Sequence, residues 1–154
     1  MLKFFLGTLL LSPMAITHAA SPSPEVDGCL QAAAEKHDVA YTLLRAIAEQ
    51  ESGFNPLALG RNPNGSHDLG LMQINTAWLP TLKGFGIQAA DLYRPCVSAD
   101  VSAWLLATNF RAMGISWRAV GAYNAATEWK RVRYAVSIHK RVQQAALLEY
   151  ARHE

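Results

Sequence analysis

Helical periodicity with one long interruption constrains the fold of this chain more than any other feature. Apolar residues recur at helical spacing in six stretches, which predict helices near residues 26–37, 42–52, 76–83, 98–113, 116–125 and 128–150. Gly53 and Gly114 stand where helix C-terminal caps belong, and Pro56 prevents the second helix from continuing. The chain is therefore expected to form a mainly α, single compact helical domain.

The interruption lies between Asn55 and Asn75, where the helical period disappears. Residues 60–67 are dense in turn formers, and Asn64-Gly65 is a strong signal for a tight hairpin turn. We expect a short two-stranded or irregular segment around residues 60–75. A connection of this length is uncommon in a compact domain and is often functional.

The start of the chain has the pattern of an export signal. Lys3 precedes an apolar run from Phe4 to Leu11, Pro13 interrupts that run, and Ala19 and Ala20 follow it. A membrane-spanning helix needs about 20 apolar residues, so residues 1–19 are expected to be a cleaved signal peptide and not a stable membrane anchor. The mature protein is then periplasmic and long enough for one domain, placed at residues 28–150.

Charge and composition point away from nucleic acid and metal. The chain has 14 Lys and Arg and 12 Asp and Glu, a formal net charge of +2, which gives no strong positive field. It contains neither a His-x-x-x-His nor a Cys-x-x-Cys pairing. We expect no nucleic-acid partner, no metal and no other cofactor.

Cys29 and Cys96 are the two cysteines of the chain. In an oxidising compartment such a pair usually forms a disulfide. Two buried free thiols are the alternative.

A carboxylic acid continues the apolar stripe of the second predicted helix. Leu44, Ile47, Ala48 and Glu51 stand at i, i+3, i+4 and i+7, so Glu51 faces the core side. Desolvation should raise the pKa of Glu51 and keep the group protonated near neutral pH. A general acid needs that proton to protonate a glycosidic oxygen. Without the neighbouring sequence motifs, an ordinary, partly solvent-exposed salt bridge would be the more common role of such a residue.

Three ordered motifs favour a catalytic role of Glu51 over a salt bridge. They are Glu51 to Pro56 (ESGFNP), Gly70 to Asn75 (GLMQIN) and Ala122 to Ala125 (AYNA). Together they resemble the motif set of the soluble lytic transglycosylase domain, in the lysozyme-like superfamily, over residues 28–126. The resemblance implies an α+β lysozyme-like fold and peptidoglycan glycan strands as the substrate. Ala126 departs from the family pattern, which commonly has Gly after AYNA.

The resemblance also implies the roles of single residues. Glu51 is the one acid and base: it protonates the bond between N-acetylmuramic acid and N-acetylglucosamine, then takes the proton of the muramyl C6 hydroxyl and leaves a 1,6-anhydro end. Met72 and Gln73 are expected to line the groove, and the Tyr123 phenol to hydrogen-bond or orient the Glu51 carboxyl. The full set of substrate-binding positions carried over is Ser52, Met72, Gln73, Asn75, Tyr123 and Asn124.

Asp68 supplies a second carboxylate that many transglycosylases lack. Its position 17 residues after Glu51 is similar to the frame of c-type lysozymes, in which one carboxyl is protonated in an apolar pocket and the other is ionised. Asp68 would be the ionised partner, facing Glu51 across one cleft and stabilising positive charge at the sugar ring. A turn-capping Asp in a loop rich in Gly and Ser is the alternative.

The remaining aromatic and apolar residues give weaker expectations. Trp104 is expected in the core, whereas Trp78 and Trp117 are candidates for stacking on sugar faces. The apolar positions of the last helix are expected to pack on the core and to leave a solvated basic face; they are 129, 132, 136, 139, 142 and 146.

The ordered motif set favours a lytic transglycosylase. The alternatives are a lysozyme-type hydrolase that uses Glu51 and Asp68, and a non-enzymatic glycan-binding assembly factor, which the presence of Glu51 disfavours. The segment Pro95-Cys96-Val97 and the run from Trp117 to Asn124 resemble small family members that accompany type III and type IV secretion, conjugation and pilus systems. The resemblance implies components of such a machine as partners.

Overall fold

The structure, a computed structural model, describes residues 21–152. Within this range no helix is both long and apolar enough to cross a membrane. The expected signal peptide, residues 1–19, lies outside the described residues. The described residues form six α-helices: α1 (Pro24–His37), α2 (Tyr41–Ser52), α3 (Leu79–Lys83), α4 (Pro95–Met113), α5 (Trp117–Asn124) and α6 (Glu128–Arg152).

A small antiparallel sheet occupies the interruption between α2 and α3. Its strands are β1 (Leu59–Arg61), β2 (His67–Leu69) and β3 (Ile74–Asn75), in that spatial order. The hairpin expected around Asn64-Gly65 is present and joins β1 to β2. The third strand was not expected, because two residues are too few to produce an alternating pattern.

Helix boundaries differ from the prediction mainly where proline is involved. Pro95 begins α4 three residues earlier than expected, because the first helical position needs no N–H donor. The helix expected over residues 76–83 is divided into a 3-10 turn, Thr76–Trp78, and the short α3. A second 3-10 turn, Ala89–Tyr93, precedes α4 and had no clear signal in the sequence.

Helix α4 lies at the centre of the domain. It packs against α1 on one side and α5 on the other, while α6 packs against α5 and α2. Ala99, Ala103 and Leu106 of α4 are fully buried. A helix that is apolar around most of its circumference is expected in a core. Because α4 packs against α5, it supports an element that lines the cleft described below.

The expected disulfide joins α1 to the start of α4. Cys29 and Cys96 are bonded, with their Cα atoms 4.5 Å apart. The alternative of two free thiols is thereby excluded.

The buried face of α6 differs from the prediction. Trp129, Val132 and Val136 were expected in the core but are 60%, 55% and 49% exposed. Tyr134 and Ile138, about half a helical turn away, are buried instead. The reason lies in side chains that contact α2: the carboxamide oxygen of Gln50 accepts hydrogen bonds from Ser137 and Arg141, and these bonds fix which face of α6 turns inward.

Candidate active site

Glu51 lies in the last turn of α2, on the same face as the fully buried Leu44 and Ile47. Its carboxyl group opens into a cleft between α2, the sheet and α5. The pKa of Glu51 is raised from 4.5 to about 7, mainly by burial and also by the nearby charge of Asp68, against a hydrogen bond from Tyr134 that lowers it. Glu51 therefore carries its proton over most of the range below neutral pH.

The phenol that hydrogen-bonds Glu51 belongs to Tyr134 of α6 and not to Tyr123. The Tyr134 hydroxyl donates to Glu51 Oε1, whereas the Tyr123 hydroxyl donates to the main-chain oxygen of Met72 at 3.0 Å. The expected bond between Tyr123 and Glu51 is thus absent, because Tyr123 is engaged by the loop after β2. The two rings stack, with centroids 6.4 Å apart, so Tyr123 supports Tyr134 from the side.

Both phenols are held neutral. Burial, followed by the adjacent Glu51 carboxyl, raises the pKa of Tyr123 and of Tyr134 far above the ordinary value of 10.0. Each phenol therefore keeps its proton and acts as a hydrogen-bond donor throughout the range in which Glu51 titrates.

Asp68 lies in β2, with its carboxylate held by two amides. Asn62 Nδ2 donates to one oxygen at 2.8 Å, and Asn75 Nδ2 donates to the other at 2.7 Å. Asp68 is paired with Gly60 on β1 and with Asn75 on β3. Because Asp68 is a strand residue inside a sheet, the alternative of a turn-capping Asp does not apply.

Gly60 leaves the space that this arrangement needs. A Cβ atom at Gly60 would lie 2.9 Å from Gln73 Oε1 and 3.2 Å from Asp68 Cβ. Any side chain at Gly60 would therefore displace Gln73 or Asp68 from its observed position.

One cleft of about 420 Å³ brings together most of the predicted site. The carboxyl groups of Glu51 and Asp68 share it with aromatic, amide and apolar side chains. Its lining residues are Glu51, Asn62, Asp68, Gln73, Ile74, Asn75, Ala77, Trp78, Leu105, Tyr123 and Asn124.

Ser52 and Met72 do not line the cleft, in contrast to the prediction. The Ser52 hydroxyl donates to the main-chain oxygen of Leu71 at 2.7 Å and so ties the end of α2 to the next loop. Met72 is fully buried, and its N–H donates to the buried Ser98 hydroxyl of α4. Both hydrogen bonds position the segment of Leu71 and Met72 beside the cleft.

Gln73 and Asn124 are placed on the cleft, as expected from their motifs. Gln73 has a positive φ of 48°, and its amide donates to the Gly70 carbonyl at 2.9 Å. The amide of Asn75 is engaged by Asp68 and Ser66, so Asn75 orients a cleft carboxylate in addition to lining the cleft.

Sequence reasoning missed Tyr134 and Asn62. Tyr134 is 83 residues from Glu51 and outside the three motifs, so no local pattern indicated it.

The tryptophans lie in two different places. Trp78 lines the cleft and is 41% exposed. The ring of Trp104, on α4, packs edge-on against the ring of Trp78. Trp117 instead packs against His139 in a different groove.

Among the described residues, no group of three or more His, Cys, Asp or Glu side chains is placed to hold a metal ion. The cleft presents the carboxyl of Glu51, hydrogen-bonded by the phenol of Tyr134, the carboxyl of Asp68, held by two amides, and the rings of Tyr123 and Trp78. This set is suited to acid-catalysed opening of an acetal bond next to a developing positive charge.

Comparison with known proteins agrees with that chemistry. The family model of the transglycosylase SLT domain matches residues 28–144. The chain therefore belongs to the SLT transglycosylase family, and it is a peptidoglycan lytic transglycosylase by class. The fold also resembles an inactive mutant of the lytic transglycosylase Slt from Pseudomonas aeruginosa, with a TM-score of 0.62 at 22% identity over 75% of this chain and 23% of that chain.

Three individual relatives are similar to the chain over most of its length. The chain is 45% identical to invasion protein IagB of Salmonella typhi over 115 residues, which is 71% of this chain and 72% of that protein. It is 42% identical to protein IpgF of Shigella flexneri, over 73% and 78% of the two chains. It is 33% identical to the X polypeptide of Escherichia coli K12, over 91% and 83%.

Proposed function

We propose that Glu51 is both the acid and the base in non-hydrolytic cleavage of peptidoglycan between N-acetylmuramic acid and N-acetylglucosamine. The observation that carries the proposal is the pKa of Glu51, raised to about 7 by burial beside a neutral phenol. A carboxyl that titrates near the working pH can give a proton and take one back in the same turnover.

The reaction needs two proton transfers at Glu51. The Glu51 carboxyl first protonates the glycosidic oxygen, so the bond from the muramyl C1 breaks and the N-acetylglucosamine hydroxyl leaves. The resulting Glu51 carboxylate then takes the proton of the muramyl C6 hydroxyl, whose oxygen bonds to C1. The product is a 1,6-anhydro sugar, no water is consumed, and Glu51 regains its proton.

Asp68 has an electrostatic role in this proposal. The carboxylate develops no bond to the sugar but stabilises the positive charge that appears at C1 and the ring oxygen. Asn62 and Asn75 occupy its two oxygens, which fixes its orientation. Trp78, Gln73, Asn75, Tyr123 and Asn124 bind the glycan along the cleft.

Hydrolysis is the second candidate, and the presence of Asp68 is the observation that favours it. With two carboxyl groups on one cleft, water could attack C1 in place of the C6 hydroxyl. The two routes differ in whether solvent oxygen enters the product.

Digestion of purified peptidoglycan in H₂¹⁸O tests the proposal. The wild type should release 1,6-anhydro muropeptides without ¹⁸O, each lighter by one water than a hydrolysed product. Glu51→Gln should release none, and Asp68→Asn should give the same products about 100-fold more slowly. Asp38→Asn, an exposed substitution at the end of α1, is the matched control. Products with ¹⁸O-labelled reducing ends would establish hydrolysis instead.

We also propose that the enzyme is exported to the periplasm and opens the wall locally for a secretion, conjugation or pilus apparatus. The N-terminal pattern of residues 1–19 and the likeness to an invasion protein support this role. The mature chain should begin at Ala20 or Ser21 when its N-terminus is sequenced from the periplasm. Recovery of the unprocessed chain from the cytoplasm alone would contradict the location.

A further inference from the structure

An exposed apolar stripe runs along α6 on the side away from the core. It consists of Trp129, Val132, Val136, Leu147 and Tyr150, which are 49% to 69% exposed. Their spacing keeps them on one face of the helix, opposite the buried residues Tyr134 and Ile138. Trp129, Val132 and Val136 form a row near the start of this 25-residue helix, and Leu147 and Tyr150 lie on the same face near its end. Single exposed apolar residues are ordinary, but a row of three is typical of an interaction surface.

A groove between α5 and α6 borders the start of this stripe. Trp117 forms one wall, with its ring centroid 4.8 Å from that of His139 on α6, and Val132 and Val136 form the other. The groove has a volume of about 310 Å³ and is separate from the catalytic cleft, with which it shares no lining residue. Its concave shape and tryptophan wall are suited to an inserted apolar side chain.

The charge around the stripe is strongly one-sided. Seven of the 14 Lys and Arg residues of the chain lie between residues 111 and 141, together with one of its 12 acidic residues, Glu128. Arg118 and Arg131 pair with Glu128, which lines the groove, and Arg141 pairs with Glu49. By helical spacing Arg133 borders the stripe and Lys140 lies on its face between Val136 and Leu147. Both are exposed, and in the described part of the chain neither forms a salt bridge. The surface therefore offers unpaired positive charge beside an apolar row.

We propose that the α6 stripe and its groove dock an amphipathic helix of a partner protein. The partner's apolar face lies on Trp129, Val132 and Val136, and its acidic residues lie against Arg133 and Lys140. The apolar positions of α6 near its start are spaced three and four residues apart, which is the pattern with which two helices interlock. Charge complementarity then selects an acidic partner.

The charge and the shape disfavour two other occupants. A second copy of this chain would bring Arg133 and Lys140 against the same basic residues, and like charges across an interface are destabilising. An anionic lipid surface would attract the charge but could not fill the concave groove behind Trp117. The proposal does not depend on the catalytic role of Glu51, because Tyr134 contacts Glu51 from the opposite face of α6.

Selection from a displayed library of 18-residue helical peptides tests the proposal, with the mature chain as bait. Peptides should be enriched that combine net negative charge with apolar residues at i, i+3 or i+4, and i+7. Their Kd, measured by tryptophan fluorescence, should rise at least about tenfold with Val136→Asp and with Arg133→Glu/Lys140→Glu. Lys83→Glu, an exposed reversal on α3, should leave the Kd unchanged. Glycan cleavage should stay at the wild-type rate in all variants, which shows that they fold.

Three results would overturn the proposal. If the enriched peptides lack acidic residues, or if no peptide is enriched, an acidic amphipathic helix is excluded as the partner. Loss of peptide binding in the Lys83→Glu control would show that total charge and not the stripe is responsible. The third result has two forms, and in both no acidic peptide binds. Binding to phosphatidylglycerol vesicles that Val136→Asp abolishes would assign the stripe to a membrane. Dimerisation in sedimentation that Val136→Asp abolishes would assign it to a second copy of the chain.

Discussion

The chemistry of the site at the scale of single residues depends on the surroundings of two carboxyl groups. Glu51 is largely buried and receives one hydrogen bond, from the neutral phenol of Tyr134. Asp68 lies on a strand and receives two, from the amides of Asn62 and Asn75. Burial favours the neutral form of a carboxyl, and donated hydrogen bonds favour its ionised form. The structure thus places a proton donor and a second carboxyl group, oriented by two amides, within one cleft.

Removal of the Tyr134 hydroxyl should change both the rate and its pH dependence. Tyr134→Phe deletes a hydrogen bond that lowers the pKa of Glu51, so the pKa should rise and the loss of activity at high pH should occur at a higher pH. A hydrogen bond to a charged group contributes about 1.5–3 kcal/mol, so kcat should fall tenfold or more. Muropeptide release measured from pH 5 to 9 checks both effects. Tyr150→Phe, exposed on the same helix, should change neither, and an unshifted profile for Tyr134→Phe would contradict the role.

The buried acid should also reduce stability above neutral pH. The folded-state pKa of Glu51, about 7, is above the ordinary value of 4.5. Its contribution is therefore fully present below pH 4.5 and is lost as the pH rises through 7. Glu51→Gln should be more stable than the wild type at pH 8 by roughly 1–3 kcal/mol, and the gain should disappear at pH 4. Urea unfolding at both pH values measures this difference. Glu35→Gln, on the exposed side of α1, should show no such gain.

At the scale of elements, the site depends on where α6 crosses α5 and α2. Sequence patterns predicted that α6 exists and where it begins, but they assigned its buried face incorrectly. Trp129, Val132 and Val136 form a regular apolar stripe, whereas the buried face combines Ile138 with Ala135 and the polar-tipped Tyr134, so periodicity alone selected the stripe. The correct face is determined by contacts with Gln50 and Glu51, which are distant in the sequence. Tyr134 was missed for the same reason.

The crossing of α5 and α6 should tolerate no side chain at Gly121. A Cβ atom there would lie 2.4 Å from the main-chain oxygen of Arg131, so Gly121→Ala should push α6 away and move Tyr134 from Glu51. We expect a loss of at least about 2 kcal/mol of stability and a large loss of activity. Gly28→Ala is the matched control, because a Cβ atom in α1 meets nothing within 4 Å. That variant should be more stable by about 0.5–1 kcal/mol, and equal thermal stability of the two variants would contradict the close packing.

At the scale of the whole molecule, the sequence predicted the helical class, the hairpin, the disulfide and the shared cleft. These features follow from local patterns and from motifs that hold Glu51, Asp68 and Gln73. The burial of Met72 could not be predicted, because its position in GLMQIN resembles that of a groove residue. The contact that buries it, with Ser98 of α4, is distant in the sequence. Long-range packing, and not local propensity, decides such positions.

The disulfide should contribute a large part of the stability of this small domain. Cys29 and Cys96 are 67 residues apart, and a bridge that closes a loop of this size contributes roughly 4 kcal/mol by restricting the unfolded chain. Cys29→Ser/Cys96→Ser should lose about this amount in urea unfolding of the oxidised proteins. Addition of a reductant should destabilise the wild type but not the double variant. A variant as stable as the oxidised wild type would show that the bridge is dispensable.

The proposed reaction depends on Glu51 holding a proton near neutral pH. Titration of ¹³C-glutamate-labelled protein by NMR, with the Glu51 carboxyl resonance assigned from its loss in Glu51→Gln, measures this directly. We expect a pKa of about 7 for Glu51, which should rise further in Tyr134→Phe. A midpoint at the ordinary glutamate value of 4.5 would contradict the role of Glu51 as the proton donor.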